Sequence, residues 1–506
     1  MHLAVEPCVV SGQIYDVLVV GGGINGTGIA RDAAGRGLSV LLCERDDLAQ
    51  HTSSASTKLI HGGLRYLEFY EFGLVRKALQ EREVLLRAAP HIIWPLRFVM
   101  PHDKAQRPQW MIRAGLFLYD HLARRRILPG TESIRFAKHV SGEPLRAGFS
   151  RGFVYSDGWV QDARLVVLNA LDAVLRGATV LTRTACVAAR RTDQVWCCTL
   201  RDERGHEQEV MARALVNAAG PWVESVLSDT LGERAARSVR LVKGSHIIVR
   251  KLFNHPYAYI FQNPDKRIIF AIPYENDFTL IGTTDIEYQG DPAQVAIDQD
   301  EINYLCSMSN RYFTQQISAQ DVVSTYSGVR PLLDDATENA ASVTRDYALA
   351  FDLNGPALLS VFGGKITTYR KLAEQALEQL TAHLGNTAAN WTEHAVLPGG
   401  DMEQASFDRF WSAVELRYSW LPKALAWRYA RAYGTRMHIL LENKQCMADL
   451  GVEIVAGLFV AEVRYLQRYE WACRADDILW RRSKLRLHTA ADATAVLDQW
   501  LEKNPL

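Results

Sequence analysis

The sequence predicts an α/β protein in which a doubly wound, dinucleotide-binding domain is followed by a helical C-terminal domain. Three observations carry this expectation. A short β-branched strand runs directly into a glycine turn and then a helix over residues 15–36. A second apolar strand ends on an acid, Glu44, about twenty residues after the turn. Beyond Pro398-Gly399-Gly400 the apolar residues switch to helical spacing.

In the first unit, residues 15–20 read Tyr-Asp-Val-Leu-Val-Val and the turn reads Gly21-Gly22-Gly23-Ile24-Asn25-Gly26-Thr27-Gly28. Gly21 permits the tight turn, Gly23 lets backbone approach a pyrophosphate, and Gly26 lets helix and strand pack closely, while the helix N-terminus offers N–H groups to the anion. Gly35 and Gly37 close the helix, residues 38–43 form the next buried strand, and the Glu44 carboxylate is placed to bind ribose hydroxyls. The fingerprint serves NAD and FAD equally, because both present an adenosine diphosphate.

Toward the C-terminus, Phe407, Phe410, Trp411, Val414, Tyr418 and Leu421 form one apolar stripe, and Pro422 opens a second helix that Gly434 ends. A separate helical domain is expected over residues 389–506. It holds seven of the twelve tryptophans, which reads as core packing or dimer contacts.

Composition excludes several classes. Lys plus Arg and Asp plus Glu both number 57, so no overall basic field favours nucleic acid. At 506 residues and 48% hydrophobic, the chain can build two or three cores. Residues 1–13 lack a secretory pattern and read as a loose extension, and apolar runs such as residues 454–461 fall far short of the ~20 residues of a membrane span. Eight cysteines without CxxC or zinc spacing suggest a reducing cytosol and no metal site.

Residues 51–68 include His51-Thr52-Ser53-Ser54 and Lys58-Leu59-Ile60-His61-Gly62-Gly63-Leu64-Arg65-Tyr66. They closely resemble the loop and helix that follow the first unit in aerobic glycerol-3-phosphate dehydrogenases. The resemblance continues through Asn217-Ala218-Ala219-Gly220-Pro221-Trp222, Lys243-Gly244-Ser245-His246, Gly282-Thr283-Thr284-Asp285 and Ser327-Gly328-Val329-Arg330-Pro331. It runs on through Thr344-Arg345-Asp346-Tyr347, Phe362-Gly363-Gly364-Lys365-Ile366-Thr367-Thr368-Tyr369-Arg370 and residues 474–482, so it covers about residues 14–490.

The resemblance implies FAD as cofactor, glycerol 3-phosphate as substrate, a quinone as electron acceptor, and a homodimer attached peripherally to the inner face of the cytoplasmic membrane. It also implies a fold: flavin-binding segments at about 14–80, 150–230 and 325–388, and an inserted antiparallel-sheet substrate domain from about 81–149 and 231–324. The cofactor would be held by Gly21, Gly22, Gly23, Asn25, Gly26, Glu44, Thr52, Ser53, Ser54, Ala219, Gly220, Trp222, Gly364 and Thr367.

A phosphate substrate calls for guanidinium groups, whose planar fork binds oxyanions bidentately. Arg65, Arg330 and Arg345 are the candidates, with Tyr66 as a neutral donor. Residues 369–384 read as a helix ending at Gly385, with Thr367 or Thr368 as cap. In related flavoproteins such an N-terminus points at the pyrimidine end of the flavin, and Lys365 adds a cation that can serve flavin or substrate. Hydride transfer needs a base for the hydroxyl proton; His61 and His246 both qualify, and the residues do not choose between them.

Residues 107–128 combine Trp110, Met111, Leu118 and Leu122 with Arg113, Arg124, Arg125 and Arg126, which resembles an interfacial helix as much as a core-facing one. Rival readings are a flavoenzyme for a 2-hydroxy acid or amino acid, an oxidase that passes electrons to oxygen, and a flavin-bearing binding protein without turnover. The clustered Arg, Lys and His motifs argue against the last.

Overall fold

A computed structural model describes residues 12–103, 107–235, 237–265, 267–334 and 346–505. Residues 1–11 of the expected N-terminal extension, and Arg345 with its neighbour Thr344, lie outside the described residues.

Strand β1 (Ile14–Val20) pairs in parallel with β2 (Val40–Cys43) on one side and with Glu207–Asn217 on the other. The parallel array continues to Ala357–Phe362 beyond Glu207–Asn217 and to Thr179–Leu181 beyond β2. Helix α1 (Ile24–Gly35) packs on one face with Asp162–Leu175 and Tyr369–Leu384. Val17 and Val19 of β1 join that layer, while Leu18 and Val20 join Trp196 and Leu200 of an antiparallel extension on the other. Burial of both faces explains why β1 reads as a nearly unbroken apolar run.

Among the described residues the second sheet has ten strands. Val239–Arg250 pairs antiparallel with Phe278–Gly282 and Val322–Leu333, and Ile93–Pro101 pairs with Arg151–Val160. Leu59–Ile60, Arg151–Val160 and Val322–Leu333 thus hydrogen-bond into this sheet, although the sequence places their segments with the flavin-binding domain. The physical reason is that the chain crosses between layers within these stretches. Apolar strands occur in both sheets, such as Val40–Cys43 in the first and Phe278–Gly282 in the second, so composition does not reveal the crossing.

The C-terminal domain is built from Phe407–Arg417, Lys423–Tyr433, Val460–Glu470 and Ala493–Lys503, with one two-stranded hairpin, Glu453–Val455 with Leu458–Phe459. Pro422 and Gly434 bracket Lys423–Tyr433 as expected. Val414, Tyr429, Leu466, Ile478 and Leu497 form the core, and Trp411, Trp420 and Trp500 pack against it. Among the described residues, no helix is long and apolar enough to cross a membrane.

Buried ion pairs join this domain to the first. Arg164 of Asp162–Leu175 forms a bidentate pair with Glu470, Arg482 and Arg481 reach Asp47 at 2.5 Å, and Arg183 meets Asp477 at 2.7 Å. Glu470 is fully buried. Removing one charge of such a pair leaves the other desolvated and uncompensated, which costs about 3–5 kcal/mol. Glu470→Gln should lower the unfolding free energy by that amount in denaturant titrations. A change below about 1 kcal/mol, the scale of an exposed pair, would contradict this reading of the interface.

Candidate active site

The site grows from the β1–α1 turn. Gly21 has φ +113°, and a Cβ at Gly26 would lie 1.9 Å from the Gly21 carbonyl oxygen, so no larger residue fits there without moving the turn. Gly23 is the N-cap of α1 and supplies no side-chain cap. The Ile24 N–H donates to Ser53 Oγ at 3.0 Å, and Asn25 Nδ2 donates to the Gly363 carbonyl at 3.0 Å.

A cavity of about 330 Å³ opens over this turn. Of the residues expected to hold the cofactor, Gly21, Gly23, Asn25, Glu44, Thr52, Ser53, Ala219, Gly220, Trp222 and Gly364 line it. Gly22, Gly26, Ser54 and Thr367 support the wall instead. Gly22 donates its N–H to Glu44 Oε2 at 2.6 Å, Ser54 Oγ donates to the His51 carbonyl at 3.2 Å, and Thr367 Oγ1 accepts the His61 N–H at 3.2 Å. Thr368 is the N-cap of Tyr369–Leu384, yet neither threonine makes a side-chain cap bond.

Glu44 also accepts the Asp46 N–H at 2.9 Å, so its carboxylate braces two backbone segments as well as facing the cavity. Burial raises its carboxyl above the usual 4.5, against those two donors. Two residues without a sequence-based role complete the wall. The Arg45 guanidinium covers Trp222 at 4.0 Å and His51 meets the same ring edge-on at 4.7 Å.

A second cavity, about 350 Å³, is lined by His61, Arg65, Tyr66, Asp157, Thr283 and Asp285 with apolar walls from Phe98, Ile260 and Phe270. Gly63, at φ +73°, breaks the chain direction, and a tight 3₁₀ turn follows over Leu64–Phe69. His61 and Arg65 therefore share a cavity without sharing a helix face. The turn is anchored from below: the Gly62 N–H donates to Tyr119 Oη at 2.9 Å and to Asp157 Oδ1 at 3.3 Å, and Asp157 pairs with buried Arg82 at 2.6 Å.

The other candidates adjoin this wall. Lys365 Nζ lies 4.1 Å over the Tyr66 ring. Arg330 Nη2 donates to the Thr284 carbonyl at 2.9 Å and pairs with Asp285 at 2.7 Å, passing over Gly244, where a Cβ would sit 2.4 Å from the guanidinium. His246 is buried, lies 3.0 Å from Thr57 Oγ1 through Nε2, and stacks on Tyr326 at 4.6 Å. Burial first, then the nearby Lys58 and Arg330 cations, hold its imidazole well below 6.5, so it is neutral at pH 7. Asp157, Asp285 and Thr57 carry no role in the sequence reading. Only Asp285 and Thr57 had a local signal, since both lie inside the motif stretches.

Residues 16–370 match the family model described as FAD dependent oxidoreductase, and residues 390–502 match the C-terminal domain of alpha-glycerophosphate oxidase. The chain is 55% identical to a glycerol-3-phosphate dehydrogenase of Pseudomonas aeruginosa, over 99% of this chain and 98% of that protein. The chain belongs to the FAD dependent oxidoreductases, in their glycerol-3-phosphate dehydrogenase branch. It is also 50% identical to a D-erythritol 1-phosphate dehydrogenase of Brucella abortus, over 97% of this chain and 98% of that protein. Its structure is similar to that of a glycerol-3-phosphate dehydrogenase from Bacillus halodurans complexed with FAD, with a TM-score of 0.78 at 26% identity, covering 97% and 91% of the two chains.

The first cavity of this FAD dependent oxidoreductase fits its cofactor on its own geometry. The glycine turn forms a cradle that a Cβ would fill, and Asn25 Oδ1 is buried without a hydrogen-bond partner among the described residues. Such an orphan acceptor on a cavity wall calls for a donor from the bound group.

His246 shares its low basicity with fully buried His91, which burial and then Arg164 and Arg431 hold well below 6.5. Unfolded imidazoles take up protons from about pH 6.5 downward while these two do not, so their contribution to stability is present above 6.5 and is lost as pH falls. Titration of labelled histidine side chains should leave both neutral through pH 6.5. A protonation midpoint at or above 6.5 for His246 would contradict the assignment.

Proposed function

We propose that the protein oxidises sn-glycerol 3-phosphate to dihydroxyacetone phosphate and passes the electrons to a quinone, as a homodimer attached to the inner face of the cytoplasmic membrane. The observation that carries this is one small cavity with Arg65 on its wall, Arg330 paired to its wall residue Asp285 and Lys365 over its wall residue Tyr66, in a chain 55% identical over its length to a protein named for that activity.

Arg65 and Arg330 would hold the phosphate, with Asp285 and the Thr284 carbonyl fixing the Arg330 fork in one orientation until the substrate arrives. Tyr66, covered by Lys365, forms one side of the substrate cavity. His246 is ready to accept the hydroxyl proton because it is neutral; Thr57 orients the ring through Nε2, and Nδ1 has no hydrogen-bond partner among the described residues. Bound FAD supplies the acceptor for the hydride that leaves C2. Lys365 and the N-terminal end of Tyr369–Leu384 favour negative charge on a flavin held in the first cavity.

The quinone and membrane parts of the reading rest on one surface. Phe69, which lines the substrate cavity, is half exposed, next to Tyr70 and Phe72. Helix Gln109–His121 adds Trp110 at 70% and Phe117 at 58% exposure, flanked by Arg113 and the run Arg124, Arg125 and Arg126. Aromatic residues bordered by arginines suit a lipid headgroup region, from which a lipid-soluble acceptor reaches the cavity mouth.

A second reading, favoured by the Brucella relative, is oxidation of D-erythritol 1-phosphate. Steady-state assays with both phosphates decide: a kcat/KM higher for glycerol 3-phosphate supports the proposal, and a higher value for the erythritol phosphate replaces it. Arg330→Ala should keep its full flavin content yet lose about 10- to 100-fold in kcat/KM, since each charge-assisted bond contributes roughly 1.5–3 kcal/mol. Unchanged kinetics would remove Arg330 from the phosphate site.

A further inference from the structure

A third cavity, of about 1010 Å³, runs between the antiparallel sheet and the C-terminal domain and shares no wall residue with the two sites above. Several cations line it, and most are committed to the fold: Arg164 to Glu470, Arg428 to Glu462, and Arg481 and Arg482 to Asp47. Two are not. Lys484 is only 8% exposed, yet its side chain makes no hydrogen bond or ion pair among the described residues. Arg431 has no carboxylate within ion-pair distance among them; its guanidinium donates to the Pro90 carbonyl at 3.3 Å and stacks on Phe407 at 3.5 Å, Trp94 at 4.6 Å and Trp427 at 4.9 Å.

A third donor lies on the same wall. Trp159 is 3% exposed and its Nε1 has no hydrogen-bond partner among the described residues. It packs against Trp94, with ring centroids 5.9 Å apart, so Arg431, Trp94 and Trp159 form a continuous surface. Trp159 Nε1 is thus a buried donor without an acceptor, Lys484 a buried cation without a contacting carboxylate and Arg431 a half-buried one, and their meeting on one cavity calls for an acceptor-rich ligand. Trp427, which lines the cavity and is 37% exposed, leaves apolar surface for a planar ring, and the volume matches the upper range of small-molecule sites.

We propose that this crevice binds a nucleoside phosphate, its phosphate oxygens taken by Lys484, Arg431 and Trp159 and its base packed against the exposed part of Trp427. Binding is coupled to a proton. Burial, followed by the charge of Lys58, lowers the Lys484 ammonium to about 7, against the attraction of Asp162 and Glu275 and with Arg481 adding repulsion. Lys251, His255 and His488 also line the cavity, as do Asp277 and Glu453. An anion beside Lys484 restores its basicity, so the amine takes up a proton as the ligand binds.

The test is calorimetric titration of ATP into the FAD-loaded protein, in two buffers of different ionisation heat at about pH 8, above the lowered basicity of Lys484. Saturable binding with uptake of close to one proton is expected. Lys484→Met and Arg431→Met should each weaken binding by about tenfold, which corresponds to about 1.4 kcal/mol, and leave flavin content and turnover without ATP unchanged. Lys484→Arg, charged throughout, should bind ATP without proton uptake. Absence of saturable binding, or affinity unchanged in both methionine variants, would overturn the proposal. Pyrophosphate and adenosine, each titrated alone, should bind more weakly than ATP; adenosine binding as tightly as ATP would also count against a phosphate role for Lys484 and Arg431.

Discussion

The close passage of Gly26 over the Gly21 carbonyl is the contact on which the rest of the architecture rests. With a hypothetical Cβ only 1.9 Å from that oxygen, α1 can lie where it does only because residue 26 has no side chain. That placement sets the N-terminus of α1 under the first cavity and brings Asn25 to the Gly363 carbonyl, 338 residues away. Gly363 and Gly364 both have positive φ, so the chain turns there from Ala357–Phe362 into Tyr369–Leu384 with Lys365 at the junction. One backbone contact thereby aligns the glycine cradle of the first cavity with Lys365, which covers Tyr66 on the wall of the second.

The strap of residues 51–66 carries that alignment to the second sheet. Thr52 Oγ1 donates to the Val329 carbonyl at 2.7 Å, Tyr326 Oη donates to the Ser56 carbonyl at 2.9 Å, and Thr57 meets His246. Val322–Leu333 and Val239–Arg250 are in register so that His246 opposes Tyr326, and Gly244 opposes Gly328. Small residues at that step leave room for the Arg330 side chain, whose partner Asp285 lines the second cavity. The first and second cavities are thus two sides of one hydrogen-bonded strap.

What was legible in the sequence follows from locality. The strand, turn, helix and terminal acid of residues 14–44 lie within one supersecondary unit, and Pro422 and Gly434 mark their helix without outside help. The anchor beneath the Gly62 turn was illegible, because Asp157 is 95 residues from Gly62 and pairs with Arg82, in another helix. The same holds for sheet membership of Arg151–Val160, decided by hydrogen bonds to Ile93–Pro101 rather than by its own pattern. Glu44 was found by spacing, but its bracing of Gly22 and Asp46 appears only in three dimensions. Lys484 and Trp159 carried no signal at all, since an orphaned donor is a property of burial.

The central claim joins a flavin cradle to a phosphate-reading cavity, and one anaerobic experiment addresses both. Addition of sn-glycerol 3-phosphate to the purified, oxygen-free protein should bleach the flavin band near ~450 nm, while glycerol and amino acids leave it intact. A flavin spectrum that stays yellow with glycerol 3-phosphate would contradict the account.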